Sequence, residues 1–94
     1  MNQEHNTEII DLAALQQKEK GAFAQVLDQN SDRIYRLALK MLGNVQDAED
    51  ILQETFIKAF NHIDRFEGRS KISTWLYRIA VNESLMLLRK RKGN

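Results

Sequence analysis

Residues 34–60 read Ile34-Tyr35-Arg36-Leu37-Ala38-Leu39-Lys40-Met41-Leu42-Gly43-Asn44-Val45-Gln46-Asp47-Ala48-Glu49-Asp50-Ile51-Leu52-Gln53-Glu54-Thr55-Phe56-Ile57-Lys58-Ala59-Phe60. Ile34, Leu37, Ala38, Met41 and Leu42 recur at i, i+3, i+4, i+7 and i+8, the spacing of one buried face on an α-helix. Gly43 suits the left-handed residue that follows a helix end. Asn44 suits an N-cap, with Asp47, Glu49 and Asp50 near the positive end of the helix it opens. That helix turns Val45, Ala48, Ile51, Leu52, Thr55, Phe56 and Ala59 inward and ends near Phe60. Two amphipathic helices joined by a tight turn fix the fold class as all-α.

Working outward, the first of the two helices extends back to Ala22, with a weak point at Gln29-Asn30-Ser31-Asp32. A shorter helix precedes it, from about Glu8 to Lys18, with Thr7 as a candidate cap, Ile9, Leu12 and Ala13 at helical spacing, and Gly21 as its interruption. On the other side, a loop from His62 to Arg69 contains Phe66 and the turn residue Gly68. Ser70 is placed to cap a last helix over Lys71 to about Arg91. The expectation is one compact bundle of three to four helices, with residues 1–94 forming a single domain.

Composition agrees. The chain has 94 residues, 43% of them hydrophobic and 29% charged, with no proline and no cysteine. Lack of cysteine excludes disulfides, thiolate metal sites and thiol chemistry, and fits a reducing cytoplasm. No apolar run reaches the roughly 18 residues of a membrane span, and Met1-Asn2-Gln3-Glu4-His5 lacks a secretory signal pattern.

The net charge of +1 conceals a division. Residues 1–64 hold six Lys/Arg against eleven Asp/Glu, while residues 65–94 hold eight against two. A polyanion suits the C-terminal third and a different partner suits the rest. Arg89, Lys90, Arg91 and Lys92 also oppose a helix macrodipole; Arg65, Arg69, Lys71 and Arg78 have no such account.

Catalytic constellations are missing. The four glycines are isolated, so no phosphate loop is formed. His5 and His62 are far apart, no Glu-x-x-His pair occurs, and no serine has a histidine base or a glycine elbow. The sequence therefore reads as a binding module without catalytic residue, metal or cofactor.

Three groups are candidates for binding. Asp47, Asp50 and Glu54 share a stripe of the third helix, with Gln53 beside it. An ordinary solvated face is the plain alternative, but no interleaved base neutralises the stripe, which leaves it open to a basic partner. Lys71, Trp75, Arg78, Asn82 and Arg89 lie on one stripe of the last helix. An indole flanked by cations is suited to stacking an unpaired base while holding phosphates; the alternative places Trp75 in the core with Leu76 and Ile79. The loop residues Arg65, Phe66, Arg69 and Ser70 form the third group, with apolar side chains as anchors and polar ones available to a ligand.

These residues resemble the bacterial extracytoplasmic-function sigma factors. Asp47 to Phe60 looks like their polymerase-binding helix. Phe66-Glu67-Gly68-Arg69-Ser70-Lys71-Ile72-Ser73-Thr74-Trp75-Leu76-Tyr77-Arg78-Ile79-Ala80-Val81-Asn82 looks like their promoter-melting loop and helix, and Ile34 to Ala38 with Met41-Leu42-Gly43 is similar to the helix before them. The resemblance covers nearly the whole chain from about residue 8 and implies the second conserved region of an initiation factor. By it, Asp50, Gln53 and Glu54 dock on the β′ clamp helices of core RNA polymerase. The loop from Phe66 to Lys71 holds a base flipped from the non-template strand of the −10 element, and Trp75, Arg78 and Asn82 follow the unwound strand. It also implies an anti-sigma factor as a partner. Family members usually carry a helix-turn-helix domain for the −35 element, which has no counterpart in these 94 residues. Glu67, Ile72 and Met86 depart from the family pattern. Two other readings are a general helical module binding duplex DNA, and a pure protein-interaction domain.

Overall fold

The computed structural model describes residues 11–93, so the expected helix-forming positions Thr7, Glu8 and Ile9 lie outside the described residues. Among the described residues, four α-helices follow in order: α1 (Leu12–Gln16), α2 (Lys20–Leu42), α3 (Val45–His62) and α4 (Ile72–Gly93), with a 3₁₀ turn (Ile63–Arg65) after α3. No strand occurs among the described residues.

Short-range chemistry sets the helix ends. Asp11 caps α1 by accepting from the Ala14 amide at 3.1 Å. The chain leaves α1 through Lys18, whose φ of 61° is left-handed without being glycine. Gly21, expected to break the chain here, instead lies inside α2. At the far end of α2, Gly43 adopts φ 75° and its amide donates to the Leu39 carbonyl at 2.8 Å. The Asn44 side chain then accepts from the Asp47 amide at 2.9 Å, which opens α3.

Two further expectations are corrected. α2 is unbroken through Gln29–Asp32, because the polar side chains there fold back on their own helix: Asn30 Nδ2 donates to the Val26 carbonyl at 2.9 Å and Ser31 Oγ to the Leu27 carbonyl at 2.6 Å. Asn30 is thereby buried with its amide satisfied. α4 starts at Ile72, and the Trp75 amide donates to the Lys71 carbonyl at 3.1 Å, so Lys71, and not Ser70, holds the flanking position.

α2, α3 and α4 pack against one another, and α1 lies across α2 and the 3₁₀ turn. Phe23, Val26, Ile34, Ala38 and Leu42 from α2 meet Ala48, Ile51, Phe56 and Ala59 from α3 and Ile72, Leu76 and Ala80 from α4. Ala38, Ala48, Ala59, Ala80 and Ser84 have no exposed surface, and their small size lets the three helices approach closely. Val45, expected inside, is exposed at the first position of α3, and Leu52 is only half-buried. None of the helices described is long and apolar enough to cross a membrane.

Candidate functional site

The acidic stripe of α3 borders a groove against α4. Asp47, Asp50 and Glu54 line it together with Met86, Leu87 and Lys90, around a volume of about 320 Å³. Gln53 is exposed but lies outside this lining. The acids differ in their engagement. Asp47 is half-buried and pairs with Arg91, reaching across from α4. Asp50 is exposed and accepts from Gln46 Nε2 at a long 3.3 Å. Glu54 is half-buried and has no ion pair among the described residues. The groove is thus anionic on the α3 side, with an apolar floor and rim: Met86 is 53% exposed, a large apolar surface on one edge.

The aromatic pair at the other end of the bundle behaves differently from expectation in one respect. Phe66, counted among residues for a flipped base, is only 5% exposed and belongs to the core. Its ring lies 5.1 Å from that of Trp75, at 41° between planes, so it supports the indole from within. Trp75 itself is half-buried, which leaves part of its surface accessible. Trp75, Arg65 and Asn82 converge on a hollow of about 270 Å³ that Lys58, His62 and Ile79 also line. Lys58 is paired with Glu83 at 3.2 Å on the wall of that hollow. Lys58 has no signal in the sequence and His62 figures there only as the start of the candidate loop, because their approach to Trp75 depends on how α3 crosses α4.

The remaining candidate cations do not line this hollow. Arg78 and Arg89 are exposed on the Trp75–Asn82 stripe of α4, Arg89 about 16 Å farther along by the helical rise. Arg69 is exposed and pairs with Glu67 at 3.2 Å; Ser70 is half-buried and Lys71 exposed. The loop that carries them is held by α1. Gln16 Nε2 donates to the Phe66 carbonyl at 3.1 Å. Gly68 has φ 77°, and a Cβ there would lie 3.4 Å from a Leu12 methyl, so α1 rests directly on the turn. That positioning role of α1 has no signature in the sequence, since it is a contact between segments 50 residues apart.

Fold and surface together define a small helical domain whose α3–α4 seam carries an acidic groove and, farther along, an aromatic hollow with cations on its wall, with Glu83 lining both. The family model for sigma-70 region 2 matches residues 26–93, and the chain belongs to that family, in its extracytoplasmic-function (ECF) branch. It is similar to the ECF RNA polymerase sigma factor SigW of Bacillus subtilis (strain 168), with 51% identity over 81 residues that cover 83% of this chain and 43% of the relative. It is also similar to the ECF RNA polymerase sigma factor SigE of Mycolicibacterium smegmatis, at 40% identity over 67 residues, 71% of this chain and 26% of that one. The chain therefore spans less than half the length of these two curated relatives. Among solved structures, an engineered region 2 of sigmaE in complex with GTAAAA matches with a TM-score of 0.77 and 32% identity, over 86% of this chain and 84% of that chain.

Proposed function

We propose that this domain binds core RNA polymerase through the α3 stripe and helps open promoters by capturing non-template bases of the −10 element. The observation that carries the reading is the Trp75 hollow. A half-exposed indole, backed by Phe66, faces a cleft with Arg65 and Asn82 in a fold shared with an engineered region 2 of sigmaE in complex with GTAAAA.

Such a cleft opens DNA by capture. Bases unstack transiently, and a pocket with affinity only for the unstacked form shifts that equilibrium. Stacking on an aromatic ring contributes about 1–3 kcal/mol per base, comparable to the few kcal/mol that unstacking costs. Asn82 offers an amide to a base edge, and Arg65, Arg78 and Arg89 offer charge to phosphates. No bond is made or broken, and no cofactor takes part. The acidic groove on α3 and α4 suits the basic helices of the polymerase clamp, with Asp50 and Glu54 as the uncompensated acids. An anti-sigma factor is a second protein partner on this reading, because Met86 gives the same groove an apolar edge that suits a protein surface. On this reading the domain works in the cytoplasm, where the polymerase acts.

The test has two arms. Core polymerase should retain the 94-residue chain in a pull-down, and single-stranded −10 oligonucleotides should bind more tightly than the same sequences as duplex. With about four phosphate contacts, log affinity should fall with log salt at a slope near −3. Equal affinity for duplex and single strand would favour a general DNA-binding module instead.

A further inference from the structure

We propose that a second nucleic-acid contact runs along the groove between α2 and α4, where Arg33, Arg36 and Lys40 hold the backbone of a single strand and Tyr77 stacks one of its bases. The inference rests on the reading that this chain binds single-stranded nucleic acid, but not on capture at Trp75.

These cations sit in the half of the chain whose overall charge is negative, yet they occupy one stripe of α2, at spacings of three and four residues. Together with Gln29, Asp32 and Tyr77 they line a hollow of about 430 Å³. An adjoining hollow of about 320 Å³ shares Arg33 and Tyr77 and adds Ser73 and Thr74 from the start of α4. Because they share Arg33 and Tyr77, the two hollows form one track that runs from the start of α4 along α2 for roughly 10 Å, from Arg33 to Lys40.

Arg33 and Lys40 have no ion-pair partner among the described residues, and the pairing of Arg36 with Asp32 is loose. Its N···O distance is 3.6 Å and the two side chains are 77% and 91% exposed, so solvent screens it and a phosphate can replace the carboxylate. Tyr77 is 38% exposed, an aromatic surface in the middle of the cations. Cations spaced along a groove around one accessible ring are what single-strand binders use to track a backbone and stack its bases. An acidic protein segment is less well served, since Leu37 is the one aliphatic side chain lining this open track and a protein interface needs more apolar anchoring.

The experiment measures binding of the 94-residue chain to fluorescent 6-nucleotide and 14-nucleotide single strands that share one −10-like sequence. The double variant Arg33→Gln/Lys40→Gln should bind the 14-mer at least 10-fold more weakly, with a salt slope shallower by about 1.4, the release expected from two phosphate contacts. Its affinity for the 6-mer should be unchanged. Tyr77→Ala should weaken the 14-mer about 5-fold or more, without affecting the 6-mer. Unchanged 14-mer binding by these variants overturns the proposal, and so does an equal loss on both lengths, which would make the track part of one common site. If 14-mer binding holds while binding of a poly-glutamate peptide is lost, the groove belongs to a protein partner and the proposal fails. Trp75→Ala run in parallel separates the two readings: intact 6-mer binding by that variant counts against base capture, whatever the α2 variants do.

Discussion

Arg91, near the end of α4, donates to the carboxylate of Asp47 in the first turn of α3, and its second nitrogen donates to the Leu42 carbonyl at 3.3 Å. One guanidinium thus joins the negative end of α2 to an acid at the positive end of α3, across the Gly43-Asn44 turn. The pair ties the end of α4 to the α2–α3 turn, at the edge of the acidic groove that Asp47 lines.

The two side chains are 38% and 24% exposed, so solvent limits what the pair contributes. Arg91→Met should lower stability by about 1 kcal/mol, or roughly 4–8 °C in Tm for a domain of this size. Asp47→Asn should cost a similar amount, and the double variant no more than either single one, a coupling of at least 0.5 kcal/mol. Thermal melts of the four proteins measure it; strictly additive losses would remove the pair from the account.

Gly21 inside α2 and Gly43 just past its end should respond to alanine with opposite signs. Gly43 holds φ 75°, and nothing lies within 4 Å of an added Cβ, so Gly43→Ala bears only the left-handed strain, about 1–2 kcal/mol. Gly21 is helical and equally uncrowded. Gly21→Ala should stabilise by about 0.4–1 kcal/mol, by narrowing the unfolded ensemble. Denaturant midpoints that moved in the same direction for both would contradict these backbone assignments.

That contrast shows what the sequence disclosed. The α2–α3 hairpin was legible because its stop and start signals are local: a left-handed glycine, then an asparagine that caps the next helix. Lys18 was not, since a lysine at positive φ has no signature, and the expected interruption fell on the nearby Gly21. The continuity of α2 through Asn30 and Ser31 was hidden for a related reason. Both residues favour turns on their own; the bond to the carbonyl four residues back satisfies Asn30 where it is buried against the bundle, and Ser31 makes the same bond at the surface. Within the site, the acidic and indole stripes followed from helical spacing alone. The burial of Phe66, the entry of Lys58 and His62 into the indole hollow, and the support of the loop by α1 all depend on how helices cross. The basic stripe of α2 was masked by the negative sum of the residues around it.

Because Asp47 is occupied by Arg91, the acids of α3 should separate by readout. Asp50→Lys and Glu54→Lys reverse charge on the groove without breaking an ion pair, and each should weaken retention by core polymerase about 10-fold or more while leaving Tm within a few degrees. Asp47→Lys removes the Arg91 pairing and places like charges together, so it should lower Tm as well. Co-purification with polymerase, read beside thermal melts, tests the division. Undiminished retention of both the Asp50 and Glu54 variants would remove the stripe as a docking surface.

Trp75 has two roles that substitution must keep apart. Its ring packs on buried Phe66 and also faces the hollow of Arg65 and Asn82. Trp75→Ala removes both, so it should lower stability and weaken single-strand binding about 5- to 150-fold, the range that corresponds to 1–3 kcal/mol of stacking. Trp75→Leu retains an apolar side chain against Phe66 but has no π-face. Trp75→Phe retains a ring. If stacking is what the hollow supplies, affinity should follow the aromatic character, with phenylalanine near the parent and leucine near alanine, whereas Tm should follow side-chain volume. Retention by polymerase should be unchanged in all three, since the acidic groove uses other residues. Affinity that tracked Tm across the series instead would mean the indole acts only as packing, and base capture would have to move to another part of α4.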